Sequence, residues 1–151
     1  MITGDDSARA ASITAKPPLA AVLALLDAAG LPTLDLRPAL LEHFFWCGAG
    51  DALTGLVGLE FHGADALLRS LAVAPHARGA GLGSALVQHA ERYALARSVH
   101  RVYLLTTTAR GFFEARGYWS VSRNTCPRAI QETSEFAGLC PATAALLMKA
   151  L

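Results

Sequence analysis

The stretch Ser70–Tyr93, SLAVAPHARGAGLGSALVQHAERY, decides how the rest of the chain is read. An apolar segment runs into Pro75. Arg78 follows, then Gly79, Gly81 and Gly83, then a run with helical spacing. A strand that turns through glycines into a helix is built to hold an anion: first-turn amides have no intrahelical acceptor, and the helix dipole adds positive charge. Glycines remove the Cβ that would keep a phosphate away from the backbone. A Walker loop is excluded, because Gly83 is followed by Ser84 with no lysine. The dinucleotide fingerprint is excluded too: it needs glycine at Ser84, and an acidic residue is missing at the end of RVYLLTTT. The alternative without a ligand is a tight strand-to-helix turn.

Upstream, KPPLAAVLALLDAAG predicts a helix that starts at Pro17 and Pro18 and stops at Gly30 and Pro32. A first strand is expected around Ser7–Ile13. TLDLRPALLEHFFWCGA reads either as a short helix at Pro38–Leu41 or as the approach to a strand at His43–Cys47. ALTGLVGLEFHG and ADALLRSLAVAP read as two strands joined by a turn at FHGAD. The helix after the glycines covers roughly residues 81–96, with Leu82, Leu86, Ala90, Tyr93 and Ala94 on one side and Gln88, Glu91 and Arg92 largely opposite. RVYLLTTT is a central strand. TARGFFEARG is a short helix with a threonine cap and an end at Gly117, YWSVS a strand, PRAIQETSEFAGLC a helix and TAALLMKAL a last strand. Strands dominate the first half and strand–helix alternation the second, which predicts a mixed sheet with helices on both faces.

The 151 residues suit a single domain, 1–151, and 53% hydrophobic against 17% charged residues describes a globular chain with an apolar interior. A net charge of +1 makes no electrostatic case for nucleic acid or an anionic membrane. No apolar run reaches the roughly 20 residues of a spanning helix. MITGDDSARAAS lacks the apolar core of a signal peptide, so a cytoplasmic location is expected. Cys47, Cys126 and Cys140 have no CxxC spacing. They read as buried small hydrophobes, or, if their sulfurs converge, as thiolates for a soft ion. No metal site is expected.

The pattern Arg78-x-x-Gly81-x-Gly83 after the strand ending LAVAP resembles the pyrophosphate loop of the GNAT acetyltransferase superfamily, Arg/Gln-x-x-Gly-x-Gly/Ala after V-x-P. Downstream, TARGFFEARGYWSV is similar to that family's A-x-x-F-Y/F-E-x-x-G-F/Y helix. The resemblance covers roughly residues 53–122. LLRSLAVAP and the tail EFAGLCPATAALLMK look closest to N-acetyltransferases of arsenic-resistance operons. The resemblance implies an α/β fold with a mixed, mostly antiparallel sheet of about six to seven strands. It also implies acetyl-coenzyme A as cosubstrate, a small and possibly amino-acid-like or arsenical amine as acceptor, and a homodimer.

By the same resemblance, the amides of Gly79, Ala80, Gly81, Gly83 and Ser84 hold the pyrophosphate, with Arg78 adding charge. Leu71, Ala72 and Val73 pair with pantetheine through their backbone. The next strand splays away to admit the thioester, and Thr107 lines its wall, unless Thr107 or Thr108 caps the following helix. An amine must lose a proton before it attacks. Glu60, within LVGLEF, is the candidate base, with outward exposure as its alternative; His62 is the second choice, and His76 and His89 read as structural. Where the family has a tyrosine that protonates the departing thiolate, this chain has Phe113. Tyr118 and Phe112 read as packing, and Tyr103 could face either side. Arg69 is the candidate reader of an acceptor carboxylate, ahead of Arg37, His43, Arg110 and Arg123. The competing reading is a module that binds acetyl-coenzyme A or senses arsenite through its cysteines, with little catalysis.

Overall fold

A computed structural model describes residues 13–49 and 52–151. Seven strands form one sheet: β1 (Thr14–Ala15), β2 (Phe44–Ala49), β3 (Ala52–His62), β4 (Asp65–Val73), β5 (Arg101–Thr106), β6 (Trp119–Ser120) and β7 (Ala145–Ala150), in the order β1-β2-β3-β4-β5-β7-β6. Every pairing is antiparallel except β4 with β5. The helices are α1 (Leu19–Ala29), α2 (Leu82–Ala96), α3 (Arg110–Glu114) and α4 (Arg128–Gln131). No helix is long and apolar enough to cross a membrane among the described residues.

Alternation along the strands puts the core on both faces of the sheet. Phe45, Val57, Leu59, Ala66 and Leu68 pack under α2, against Leu86, Val87, Ala90 and Ala94. Their neighbours Phe44, Leu56 and Ala72 point the other way, onto Val22 and Leu26 of α1. Leu67, Tyr103 and Leu146 meet Ile130 of α4 on a third patch. The proline-started α1 ends as expected at Gly30, which sits in the left-handed region at φ 71°.

Four local expectations change. Most of the strand expected at Ser7–Ile13 lies outside the described residues, and the observed first strand is Thr14–Ala15. Both readings of the ambiguous segment occur in succession: a 3₁₀ turn at Leu40–His43 runs directly into β2. The expected helix PRAIQETSEFAGLC is only α4 followed by a single π-type turn at Glu135–Leu139, because Glu135 and Thr133 are drawn into the interior and leave no amphipathic face for a continuous helix. Glu91, expected on the outer face of α2, turns inward. It accepts a hydrogen bond from Tyr118 Oη at 2.9 Å and pairs with Lys149 Nζ at 3.0 Å.

Candidate functional site

The strand before the glycine turn is irregular where it matters. Leu56 opposes Ala72 while Gly58 opposes Arg69, so β4 has one more residue than β3 across this interval. The extra residue is a bulge at Ser70, which has φ 59°. On its other edge β4 pairs with β5 only through Asp65, Ala66 and Leu67. Beyond Leu67 the two strands part. The gap is a cavity of about 450 Å³, bordered by Leu68–Leu71 on one side and Leu104–Ala109 on the other. Leu71, Ala72 and Val73 therefore follow the bulge on a strand whose β5-facing edge has no ladder partner. An extended chain with amide groups fits such an edge.

At the end of β4, Gly79 and Gly81 take φ 83° and 80°, and α2 begins at Leu82. These are left-handed conformations that cost most residues strain. A Cβ at either position would meet nothing within 4 Å, so the glycines are needed for backbone shape and not for packing. The first intrahelical bond runs from Ala85 N to Gly81 O, at 3.0 Å. The amides of Gly81, Leu82, Gly83 and Ser84 have no acceptor within the helix, as at any helix start. Arg78 is exposed and folds its Nε back onto the carbonyl of Val73, at 3.0 Å. A second cation, overlooked in the sequence, stands on the other side. Arg116 donates Nε to Ser84 Oγ at 2.9 Å and Nη1 to the Phe112 carbonyl, with its guanidinium 3.6 Å from the Phe112 ring centroid. The signal was a basic residue in GFFEARGY, which only the docking of α3 against the start of α2 brings to the loop. Replacing Arg116 by alanine is expected to raise KM for acetyl-coenzyme A about tenfold with little change in kcat, as loss of a charge-assisted contact should. Steady-state kinetics at two salt concentrations check this.

Phe113 borders the cavity and is buried between Phe112 and Tyr118 in edge-to-face contacts. Thr107 lies on the cavity wall beyond the end of β5. The threonine that holds the start of α3 is neither Thr107 nor Thr108. Thr106 Oγ1 accepts from the Ala109 amide at 3.0 Å.

Arg69 sits at the closed end of the gap with its side chain fully buried. Its Nε donates to Ser70 Oγ at 3.1 Å. Nη1 reaches Asp35 Oδ2 at 2.6 Å and Glu60 Oε2 at 2.8 Å, and Nη2 reaches Asp35 Oδ1 at 2.9 Å and Glu135 Oε2 at 3.2 Å. A guanidinium has five N–H donors; the chain itself hydrogen-bonds four of them, and the Glu135 carboxylate stands against Nη2 as an ion pair. Burial works against the charge, but the carboxylates of Asp35, Glu135 and Glu60 outweigh it and hold the Arg69 pKa above its ordinary value. Gly58 makes room for this cluster, because a Cβ there would lie 2.4 Å from the Phe44 ring, which stands beside Arg69.

Glu60 is half-buried in this cluster, with Oε1 3.8 Å from His62 Nε2. Both border a second cavity of about 320 Å³. Arg69 and Glu135 line the 450 Å³ gap, and Glu60 does not. Burial pushes the Glu135 carboxyl above its usual range, with the Asp35 and Glu60 charges adding to it and Arg69 opposing. At Asp35 burial also pushes upward, but the Arg69 bonds win and hold the carboxyl below its usual range.

The remaining candidates are spent elsewhere. His43 Nδ1 is 3.1 Å from Tyr93 Oη, and His89 packs on the Phe45 ring. Arg110 pairs with Glu114 and Ser120, and Arg123 donates to the Ala144 carbonyl. Arg37 borders the second cavity, and His76 is exposed on the turn before Arg78. Tyr103 packs among Leu67 and Ile130. The cysteines fall in different places: Cys47 under α2, Cys126 beside Ile130, and Cys140 against Glu135. Burial raises all three thiols, Cys126 to about 11 and Cys140 to about 12, so they stay protonated near neutrality. No group of three metal-ligating side chains occurs among the described residues.

A mixed sheet that parts beyond Leu67, a bulge at Ser70 and a glycine turn that ends β4 and feeds α2 are the features the fold brings together. Residues 20–118 match the model of the acetyltransferase (GNAT) family. The chain belongs to that family. Its fold is similar to that of N-acetylglutamate synthase from Neisseria gonorrhoeae, crystallised with coenzyme A and N-acetyl-glutamate (TM-score 0.79, 21% identity, 93% of this chain and 35% of that one). It is also similar to Rv2747 from Mycobacterium tuberculosis, solved in complex with CoA (TM-score 0.73, 18% identity, 92% and 98% covered). A third similar structure is the IAA acetyltransferase from Bacillus cereus (TM-score 0.63, 18% identity, 92% and 98% covered). The chain spans about a third of the length of the N-acetylglutamate synthase. None of the curated proteins compared matches the sequence.

Proposed function

We propose that the chain N-acetylates a small amine. The observation that carries this reading is the gap between β4 and β5, which is bordered by Arg69 and Glu135 and lies beside the strand that ends in the glycine turn. Bound acetyl-coenzyme A supplies an activated acyl group. The chain's own residues do the rest. The amides of Gly79–Ser84 and the guanidinium of Arg116 take the pyrophosphate, the β5-facing edge at Leu71–Val73, where Arg78 already holds the Val73 carbonyl, orients the pantetheine, and Phe113 and Thr107 wall the thioester. Phe113 offers no proton to the departing thiolate. A thiol of ordinary acidity leaves without one.

The amino-acid-like acceptor expected at Arg69 finds little support, since four of that guanidinium's five donors are bonded within the chain and Glu135 stands against Nη2. Three carboxylates around one guanidinium favour instead an acceptor that arrives as a cation. The arsenical acceptor implied by the arsenic-resistance resemblance belongs in the same test. Thermal unfolding with and without acetyl-coenzyme A is measured first, then thiol release over a panel of amines with and without carboxylates, amino-acid-like arsenicals included. A ligand that binds only the folded state raises the midpoint. The expected result is a rise in midpoint and release with amines that lack a carboxylate. No rise at saturating acetyl-coenzyme A would end the reading.

A further inference from the structure

We propose that Glu135, and not Glu60, takes the proton from the acceptor amine. The inference rests on the acetyl-transfer reading and names the residue that makes it work. Among the described residues, Glu135 is the single carboxylate bordering the gap between β4 and β5, while Glu60 borders the neighbouring cavity on the far side of Arg69. Glu135 enters from the π-type turn after α4, and its side chain is 5% exposed. One oxygen is held by Arg69 Nη2 at 3.2 Å, and the other lies 3.7 Å from Cys140 Sγ, a neutral thiol that also borders the gap. Both contacts fix the carboxylate without neutralising it, because Arg69 is shared with Asp35 and Glu60.

The charged and titratable groups that face Glu135 are Arg69 from β4, Asp35 from the segment after α1, Glu60 from β3 and Cys140 from its own turn. Burial and the two neighbouring acids make Glu135 readier to accept a proton than an exposed glutamate, which is what a base for an ammonium acceptor needs. One N–H proton of the ammonium passes to the Glu135 carboxylate. The freed lone pair forms the nitrogen–carbon bond, and the carbon–sulfur bond breaks with its electrons on sulfur. The second nitrogen proton neutralises that sulfur, and Glu135 returns its own proton to water. Asp35 and Glu60 are positioning residues, since they hold Arg69 and through it Glu135.

The test compares E135Q with E60Q in the full chain. E135Q is expected to lower kcat by roughly 10²–10⁴ and to erase the acid limb of the pH profile, while E60Q keeps that limb. A readout independent of turnover is thermal stability. A carboxyl held above its usual range favours the fold at pH below about 4 and loses that contribution as pH rises through its folded value. E135Q should therefore gain on the wild type as pH rises, with a midpoint at pH 8 no lower than the wild type's. If E135Q does not fold, E135D takes its place, with kcat lowered and the acid limb kept. An E135Q variant within about threefold of wild-type kcat, beside an inactive E60Q, overturns the assignment. A wild type that releases no thiol with any amine overturns the transfer reading and the base together. That outcome is distinct, because it precedes any variant.

Discussion

Replacing Arg69 by methionine is expected to lower the thermal midpoint by roughly 10 °C, because removing one partner of a buried ionic cluster costs about 3–5 kcal/mol. Arg69 is the cation against which Asp35, Glu60 and Glu135 are all held, with its side chain fully buried. Methionine fills much of the volume but leaves three carboxylates facing one another. Arg69→Lys is not a rescue, since an ammonium cannot serve Asp35 bidentately and still reach Glu60, Glu135 and Ser70. The pH dependence identifies the cause. In the wild type, Asp35 has its carboxyl lowered; its stabilising contribution is full above its unfolded pKa, and is lost as pH falls through the folded value. In the methionine variant the unpaired acids take up protons at higher pH, which relieves their repulsion. The difference between wild type and variant should then be smaller at pH 5 than at pH 8 in thermal unfolding followed by circular dichroism. An equal difference at both pH values would assign the loss to packing.

Replacing Gly81 by valine should abolish the stabilisation that acetyl-coenzyme A confers, which is about 2.7 kcal/mol at a hundredfold excess over Kd. At φ 80° a β-branched side chain strains the backbone by at least the ~1–2 kcal/mol of any L-residue in this region. Relief of that strain rotates the peptide planes and turns the first amides of α2 away from a common point. Gly63→Ala is the control. Gly63 has φ 66° in the turn between β3 and β4, with open space around it, so it suffers the same kind of strain far from the loop. The control is expected to lose stability without losing its response to acetyl-coenzyme A. If Gly81→Val still responds fully in the thermal-shift measurement, the glycine turn does not hold the pyrophosphate.

Much of the fold was legible because its signals are local. The glycines after Val73, the prolines before Leu19 and the apolar run at Arg101–Thr106 each act within a few residues of themselves, and their elements formed where expected. The helix expected over Pro127–Cys140 broke for the opposite reason. Its composition suits a helix, but Glu135 forms a buried ion pair with Arg69, 66 positions away in the chain, at the point where the helix gives way to the π-type turn. Thr106 was passed over for Thr107 and Thr108 on similar grounds, since three consecutive threonines are equivalent until the strand's end is known.

The sequence alone determined the glycine turn, because the turn is made of backbone and its shape is set by the residues that form it. Arg78, Gly79, Gly81 and Gly83 lie within six residues of chain, and no distant partner is needed to read them. Only the tertiary structure decided the Arg69 cluster. Asp35, Glu60, Arg69 and Glu135 come from four separate segments, and each taken singly is an ordinary charged residue. Their meeting turns Arg69 from a free reader of carboxylates into the hub of an internal ionic cluster, and it puts Glu135 rather than Glu60 beside the gap. Charge interactions depend on distance and burial, and neither is written in the order of residues along a chain.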